Sequence, residues 1–221
     1  YHFPEPKTVL LHTWERLIGF LVKAGTILFV ACLVMWFLSS YGISDGHFGL
    51  VDAGDSILAK IGGVLRYIFI PLGFGGAEGG WQAAAASLSG FSAKEAIVTT
   101  MGVLANVSEE LVEDGNAVGL AVSEWFPTAI AAFSFLLFNL LDSPCLAAIA
   151  TMKSELNSRK WFWFAILFQN IFAYVVTLIV YQLGMLFVHG AFGVGTVFAF
   201  IFLAVILYAV FRKNPYKEMN V

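Results

Sequence analysis

The chain has 221 residues, of which 59% are hydrophobic and 12% charged, with a formal net charge of −3 and a mean hydropathy of +0.83, where a water-soluble globular chain carries about 25% charged residues. That balance points to a bilayer as solvent, and the small net charge gives no clustered basic surface for nucleic acid. The two cysteines, Cys32 and Cys145, fall in separate apolar segments, which argues against a disulfide framework.

The chain opens YHFPEPKTVLLHTWERLIGFLVKAG, without an initiator Met or a short apolar stretch ending in a cleavage site, and reads as a piece of a longer protein. Val9, Leu10, Trp14, Leu17 and Ile18 recur near helical spacing, while Lys7, Glu15 and Arg16 fall elsewhere. Two readings fit: an amphipathic helix on the cytoplasmic surface, or a plain helical extension of the first span. A hydrocarbon core about 30 Å thick needs about 20 apolar residues in a helix. Residues 17–38, 125–152, 161–187 and 192–211 reach that length. Two further segments are interrupted. Residues 57–74 contain Lys60, Arg66, Pro71 and a Gly62-Gly63 pair, and residues 81–105 contain Lys94 and Glu95 near their middle, so both are expected as broken or re-entrant helices. The fold class expected is all-α, a polytopic membrane helical bundle of about six membrane segments.

Lys and Arg in the short connections set the orientation. Lys7 and Arg16 precede the first span, Lys153, Arg159 and Lys160 follow residue 152, and Arg212, Lys213 and Lys217 follow the last span, which assigns these sites to the cytoplasm. Loop 41–55, with Asp45, Asp52 and Asp55, and loop 106–124, with Glu109, Glu110, Glu113, Asp114 and Glu124, then read as external.

An ionisable side chain at membrane depth costs at least about 2.5–3.5 kcal/mol and persists only when paired or facing a water-filled path. GFSAKE at residues 90–95 and LDSPC at residues 141–145 each interrupt an apolar helix with small, polar and ionisable residues. Lys94 and Glu95 are adjacent and point about 100° apart on a helix, so each needs a partner elsewhere. Glu95 reads either as a cation ligand facing the interior or as half of an interhelical ion pair. Lys94 reads as structural, because an ammonium repels cations and compensates a carboxylate. Pro144 removes a backbone N–H and clashes with the carbonyl of residue 140, so the helix is expected to break at Asp142 to Cys145. Freed carbonyls, the Asp142 carboxylate, the Ser143 hydroxyl and the Cys145 thiol make a mixed hard and soft donor set. Such a set suits Fe²⁺, Mn²⁺, Co²⁺ or Zn²⁺ better than Mg²⁺ or Ca²⁺. The alternative is a small apolar filler at Cys145 in a Pro-kinked span. Cys32, in TILFVACLVMWF, has no polar neighbour and reads as packing; Gln169, Asn170 and Tyr174 read as interhelical hydrogen bonding. No P-loop, H-E-x-x-H or C-x-x-C pattern occurs, and the chain is not expected to be an enzyme.

These segments resemble a known family, the carboxy-terminal membrane half of the bacterial ferrous-iron transporter FeoB. YHFP at residues 1–4 looks like the end of that family's linker motif, and TWERLIGFLVKAGTI at residues 13–27 like its first span in this half. WQAAAASLSGFSAKEAIVTTMGVL at residues 81–104 is similar to its most distinctive segment, and FLLFNLLDSPCLAAIATMKSE at residues 135–155 resembles its second gate motif. The resemblance implies an all-helical gate fold related to nucleoside carriers, with two similar halves facing each other around a path for Fe²⁺, which is transported and not permanently bound. It also implies a GTPase domain using GTP and Mg²⁺, a helical spacer and a first gate half, all outside this chain. Small cytosolic Feo partner proteins, a homo-oligomer and a multi-pass place in the bacterial cytoplasmic (inner) membrane follow from it as well. Cys145 and Glu95 carry over as metal-contacting positions; Ser92 and Asp142 join them on chemistry alone. The chain departs from the family where Asp142 and Ser143 stand in place of an aromatic and an aliphatic residue, and where the loop after Leu104 is short.

The expected organisation is a cytoplasmic linker and amphipathic helix at residues 1–16, a transmembrane gate domain at 17–211 and a cytoplasmic tail at 212–221. The expected function is part of a ferrous-iron permease. Two other classes remain open: a nucleoside-type organic-solute carrier using Gln82, Asn139 and Asn170, and a non-transporting assembly domain in which Lys94 or Arg66 seals Glu95.

Overall fold

The structure, a computed structural model, describes residues 5–44, 47–76, 80–105, 107 and 115–212. The YHFP opening, Asp45, the acidic residues Glu109, Glu110, Glu113 and Asp114, and the tail cations Lys213 and Lys217 lie outside the described residues.

Helix α1 runs from Pro6 to Ser40, with Pro6 in its first turn. Its 35 residues span about 52 Å at 1.5 Å per residue, well beyond the hydrocarbon thickness. It passes without interruption through the boundary expected at residues 16–17, so any surface-lying part and the spanning part share one helix. Only Ala31 is buried along it, and Cys32 is exposed on the helix surface. Within the described residues the sequence reading of Cys32 as packing has no buried counterpart, since Cys32 faces outward from α1.

A short antiparallel hairpin follows, β1 (Tyr41–Ser44) and β2 (His47–Leu50), with Tyr41 opposite Leu50. The sequence reading had only a loop here. Tyr41 stacks on Phe37 at 4.7 Å and on Phe48 at 5.7 Å, which folds the ribbon back against the end of α1.

Helix α2 (Ile57–Phe69) is capped by Ser56, whose hydroxyl accepts from the Ala59 amide at 3.1 Å. It runs straight through Gly62-Gly63 and ends before Pro71, in a turn closed by Gly73 at φ 94°. Helix α3 (Gly80–Ser89) packs on α2. Gly62 permits this approach, because a Cβ there would meet the Trp81 carbonyl at 2.6 Å and the Ala85 side chain at 3.1 Å. Ala83, Ala84, Ala85 and Ala86 are fully buried on α3, small side chains that bring helices close where water supplies no driving force.

Helices α4 (Ala96–Leu104) and α5 (Gly115–Ala121) lead to α6 (Ala129–Leu141), capped by Thr128, and then to α7 (Leu146–Glu155). Neither α3 nor α4, at ten and nine residues, spans a core of about 30 Å alone. With their intervening break they form one interrupted segment, as α6 and α7 do. Long α8 (Arg159–His189) ends at Gly190 in the left-handed conformation, and α9 (Val194–Phe211) packs back on it. Phe69, Phe74, Phe135 and Phe138 form the aromatic core between α2, α6 and the turn after α2, with ring centroids 5.0–5.3 Å apart for the pairs 69–74, 69–138 and 74–135.

Four stretches, Pro6–Ser40, Ala129–Glu155, Arg159–His189 and Val194–Phe211, are long and apolar enough to cross a membrane. The fold is all-α apart from the ribbon, and the chain is a membrane protein.

Candidate functional site

Both polar interruptions form helix breaks. At the first, Ser89 ends α3, its hydroxyl donating to the Ala86 carbonyl at 2.6 Å, and Ser92 donates to the Ser89 carbonyl at 2.6 Å. These short bonds satisfy carbonyls at the helix end that lack an intrahelical partner. At the second, Asp142 makes the last helical amide bond of α6, to Phe138 at 2.8 Å. Asp142 and Cys145 are then extended, and α7 begins at Leu146. Pro144 has no amide to continue the ladder.

The two breaks meet. The Leu146 amide donates to the Phe91 carbonyl at 2.9 Å, and Lys94 reaches the carboxy-terminal end of α6. Its ammonium lies 2.5 Å from Asp142 Oδ1, 2.7 Å from the Asn139 carbonyl, and 3.4 Å from the carbonyls of both Leu140 and Asp142. The Asp142 side chain is 3% exposed and that of Lys94 34%. A buried carboxylate at a helix carboxy terminus opposes the local dipole, and the ammonium answers both the charge and the freed carbonyls.

Helix α8 braces the same break from behind. Asn170 donates to the buried Ser143 hydroxyl at 2.5 Å, and Gln169 to the Asp142 carbonyl at 3.1 Å. Further along, Tyr174 donates to the Ile68 carbonyl at 2.9 Å and Gln182 to the Pro71 carbonyl at 2.8 Å, so α8 also serves the carbonyls around the turn after α2.

The four residues proposed from sequence are distributed unequally. Asp142 and Ser92 are buried and hydrogen-bonded, Ser92 within its own break and the Asp142 carboxylate across to Lys94 of the other. Cys145 is half-buried at the N-cap position of α7, with no capping hydrogen bond from its side chain. Glu95 is exposed at the N-cap position of α4 and makes no ion pair or hydrogen bond among the described residues. Neither Lys94 nor Arg66 seals it: Lys94 pairs with Asp142, and Arg66 lies over the Tyr67 ring. Among the described residues no group of three or more His, Cys, Asp or Glu side chains is gathered to hold a metal. The sequence reading missed that Lys94 takes the α6 carbonyls itself. Its recognition of an ammonium as compensation for a nearby carboxylate was the available signal.

Buried side-chain atoms without a hydrogen-bond partner include Gln82 Oε1 and Asn139 Oδ1.

Comparison with known proteins places this geometry in context. A family described as "Gate: Nucleoside recognition" matches residues 21–159. The chain is 36% identical over 188 residues to the Fe(2+) transporter FeoB of Staphylococcus aureus (strain MSSA476), covering 85% of this chain and 26% of that protein. It is 35% identical over 192 residues to the Fe(2+) transporter FeoB of Methanocaldococcus jannaschii, covering 83% of this chain and 26% of the relative. With the Escherichia coli (strain K12) Fe(2+) transporter FeoB it shares 26% identity over 259 aligned residues, 96% of this chain and 33% of the relative. The chain thus spans about a quarter to a third of the length of these curated relatives. No solved structure matches it.

Proposed function

Since this chain belongs to the Gate family and is similar to FeoB proteins along most of its length, we propose that it forms part of the membrane permease of a ferrous-iron transporter. Fe²⁺ is the cargo, and a GTPase domain outside this chain controls its passage. The observation that carries this reading is the direct meeting of the two breaks, Leu146 amide to Phe91 carbonyl at 2.9 Å. It sets the Cys145 thiol, the Asp142 carboxylate and Ser92 on adjoining stretches of interrupted helix. Partly dehydrated Fe²⁺ requires replacement ligands at membrane depth, and a thiol beside oxygen donors favours a borderline ion over Mg²⁺ or Ca²⁺. Glu95, exposed at the mouth of α4, serves as an approach ligand. The bilayer is that of the cell's cytoplasmic membrane, crossed several times, with residues 1–16 as linker and amphipathic helix and 212–221 as tail.

The test is anaerobic Fe²⁺ uptake by proteoliposomes containing the full-length protein, comparing wild type with Cys145→Ser and Glu95→Gln. Loss of uptake in folded, inserted Cys145→Ser supports the reading. Unchanged uptake in both variants returns Cys145 to packing and Glu95 to the surface.

A second reading, an organic-solute carrier of the nucleoside type, is favoured by the unpartnered amide oxygens of Gln82 and Asn139 and by the family's description. Uptake of labelled nucleoside by the same liposomes, abolished in Gln82→Leu, would establish it in place of the iron path.

A further inference from the structure

We propose that Lys94 is a tethered cation occupying the seat of the transported ion, so that a free divalent cation enters the oxygen fan at the end of α6 only after the Lys94 ammonium has left it. This rests on the reading of the chain as an ion-passing gate domain and supplies regulation of that same site. The Lys94 ammonium faces four oxygens: the Asp142 carboxylate and the carbonyls of Asn139, Leu140 and Asp142. An ammonium has three N–H groups. Two of these four contacts are short, at 2.5 and 2.7 Å, and two are long, at 3.4 Å. The arrangement is that of a point charge in a ring of acceptors rather than of matched donor and acceptor pairs. A hard or borderline divalent ion takes such an all-oxygen set, and the Cys145 thiol lies three residues further along the chain.

The two partners differ in what holds them. Asp142 is fixed by its amide bond to Phe138 and by Gln169 on its carbonyl, and its side chain is 3% exposed. Lys94 is held by the fan alone, on a long side chain that is 34% exposed. The fan therefore keeps its shape when the ammonium swings out. Glu95, next in sequence, is exposed and has no ion-pair partner among the described residues.

The experiment uses the full-length protein in lipid nanodiscs, with Mn²⁺ as the probe. In wild type, Lys94 is acetylated by a water-soluble acylating ester and quantified by mass spectrometry with and without Mn²⁺, with Lys153 as the internal reference. Mn²⁺ is expected to raise Lys94 modification about tenfold, the ratio corresponding to about 1.4 kcal/mol of displacement; no change overturns the proposal. In parallel, Mn²⁺ binding is measured by electron paramagnetic resonance. Lys94→Met is expected to bind at least about tenfold more tightly than wild type, and Lys94→Met/Asp142→Asn is expected to lose that gain. A gain that survives loss of the Asp142 carboxylate overturns the proposal, as does the absence of any gain in folded Lys94→Met. Should the single variant fail to fold, the wild-type acetylation assay decides alone. Wild-type Fe²⁺ uptake separates the two claims: liposomes that move no Fe²⁺ overturn the transport reading, whereas uptake with Mn²⁺-insensitive Lys94 acetylation overturns only the tethered cation.

Discussion

The Leu146 amide and the Phe91 carbonyl, 2.9 Å apart, join the two helix breaks through main chain alone. Leu146 is the first residue of α7, where an amide has no intrahelical partner, and here it is used between segments instead. Proline is tolerated at that first helical position, and Cys145, at φ −59° and ψ 160°, already has the conformation that a following proline requires. Leu146→Pro therefore deletes the tie while keeping α7. It is expected to cost about 1 kcal/mol beyond Leu146→Ala, read as thermal unfolding in detergent. Equal stability of the two variants would mean the bond contributes nothing.

Lys94 and Asp142 form a pair whose carboxylate is nearly sealed from solvent. Removing one partner of such a pair costs about 3–5 kcal/mol, because the other charge stays buried and alone, whereas replacing both with apolar groups is close to neutral. Lys94→Met is expected to destabilise strongly, Asp142→Leu less, because the Lys94 side chain is 34% exposed and reaches solvent once released, and the double variant to recover most of the Lys94→Met loss. A double-mutant cycle by chemical denaturation checks this, and additive losses would exclude direct coupling.

The positions of the breaks were legible in sequence because proline and clustered small polar residues act locally: Pro144 stops α6 whatever surrounds it, and residues 90–95 offer no apolar face to continue α3. What occupies the breaks was not legible. The contact of Lys94 with the Asn139 and Leu140 carbonyls depends on how α3, α4 and α6 pack, and a single sequence carries no signal of that register. The Gly62-Gly63 pair misled for the same reason. It reads in sequence as an interruption, yet α2 is continuous: Gly62 answers to the closeness of α3, and Gly63 is carried within the helix with nothing within 4 Å of a Cβ there. The ribbon at residues 41–50 escaped notice because its strands are four residues each and lack a clear alternation. Of the site, the sequence displayed Cys145 and Asp142 as chemistry, but the exposure of Glu95 and the bracing of Ser143 by Asn170 belong to the packed structure.

Gln182 joins three elements: its amide nitrogen donates to the Pro71 carbonyl at 2.8 Å, and its amide oxygen accepts from Thr196 of α9 at 3.3 Å. Gln182→Leu keeps the side-chain volume and leaves both partners without it. In a membrane setting each lost interhelical bond costs about 0.6 kcal/mol, so a loss of about 1 kcal/mol is expected in thermal unfolding. Thr196→Val also removes the hydroxyl that accepts from the Gly193 amide at 3.3 Å, so its loss reports the start of α9 as well as the Gln182 contact. An unchanged unfolding temperature in Gln182→Leu would show that neither partner gains from the amide.

The neighbouring glycines of α2 give a prediction whose sign changes within one residue. Both sit inside a helix, where replacing glycine by alanine stabilises by about 0.5–1 kcal/mol when nothing obstructs the new methyl group. At Gly63 a Cβ would meet nothing within 4 Å, so Gly63→Ala is expected to raise stability by that amount. At Gly62 the Cβ would lie 2.6 Å from the Trp81 carbonyl oxygen and 3.1 Å from the Ala85 side chain, and the nearer obstacle is backbone. Helix α3 must then move away from α2, loosening the alanine-lined contact and shifting the segment that carries the first break. Gly62→Ala is expected to destabilise by about 1–3 kcal/mol, the range for overpacking a tight contact. Thermal unfolding of the two variants side by side tests the packing directly. If both moved in the stabilising direction, α2 and α3 would not be in contact at Gly62, and the placement of the 90–95 break against α6 would lose its support.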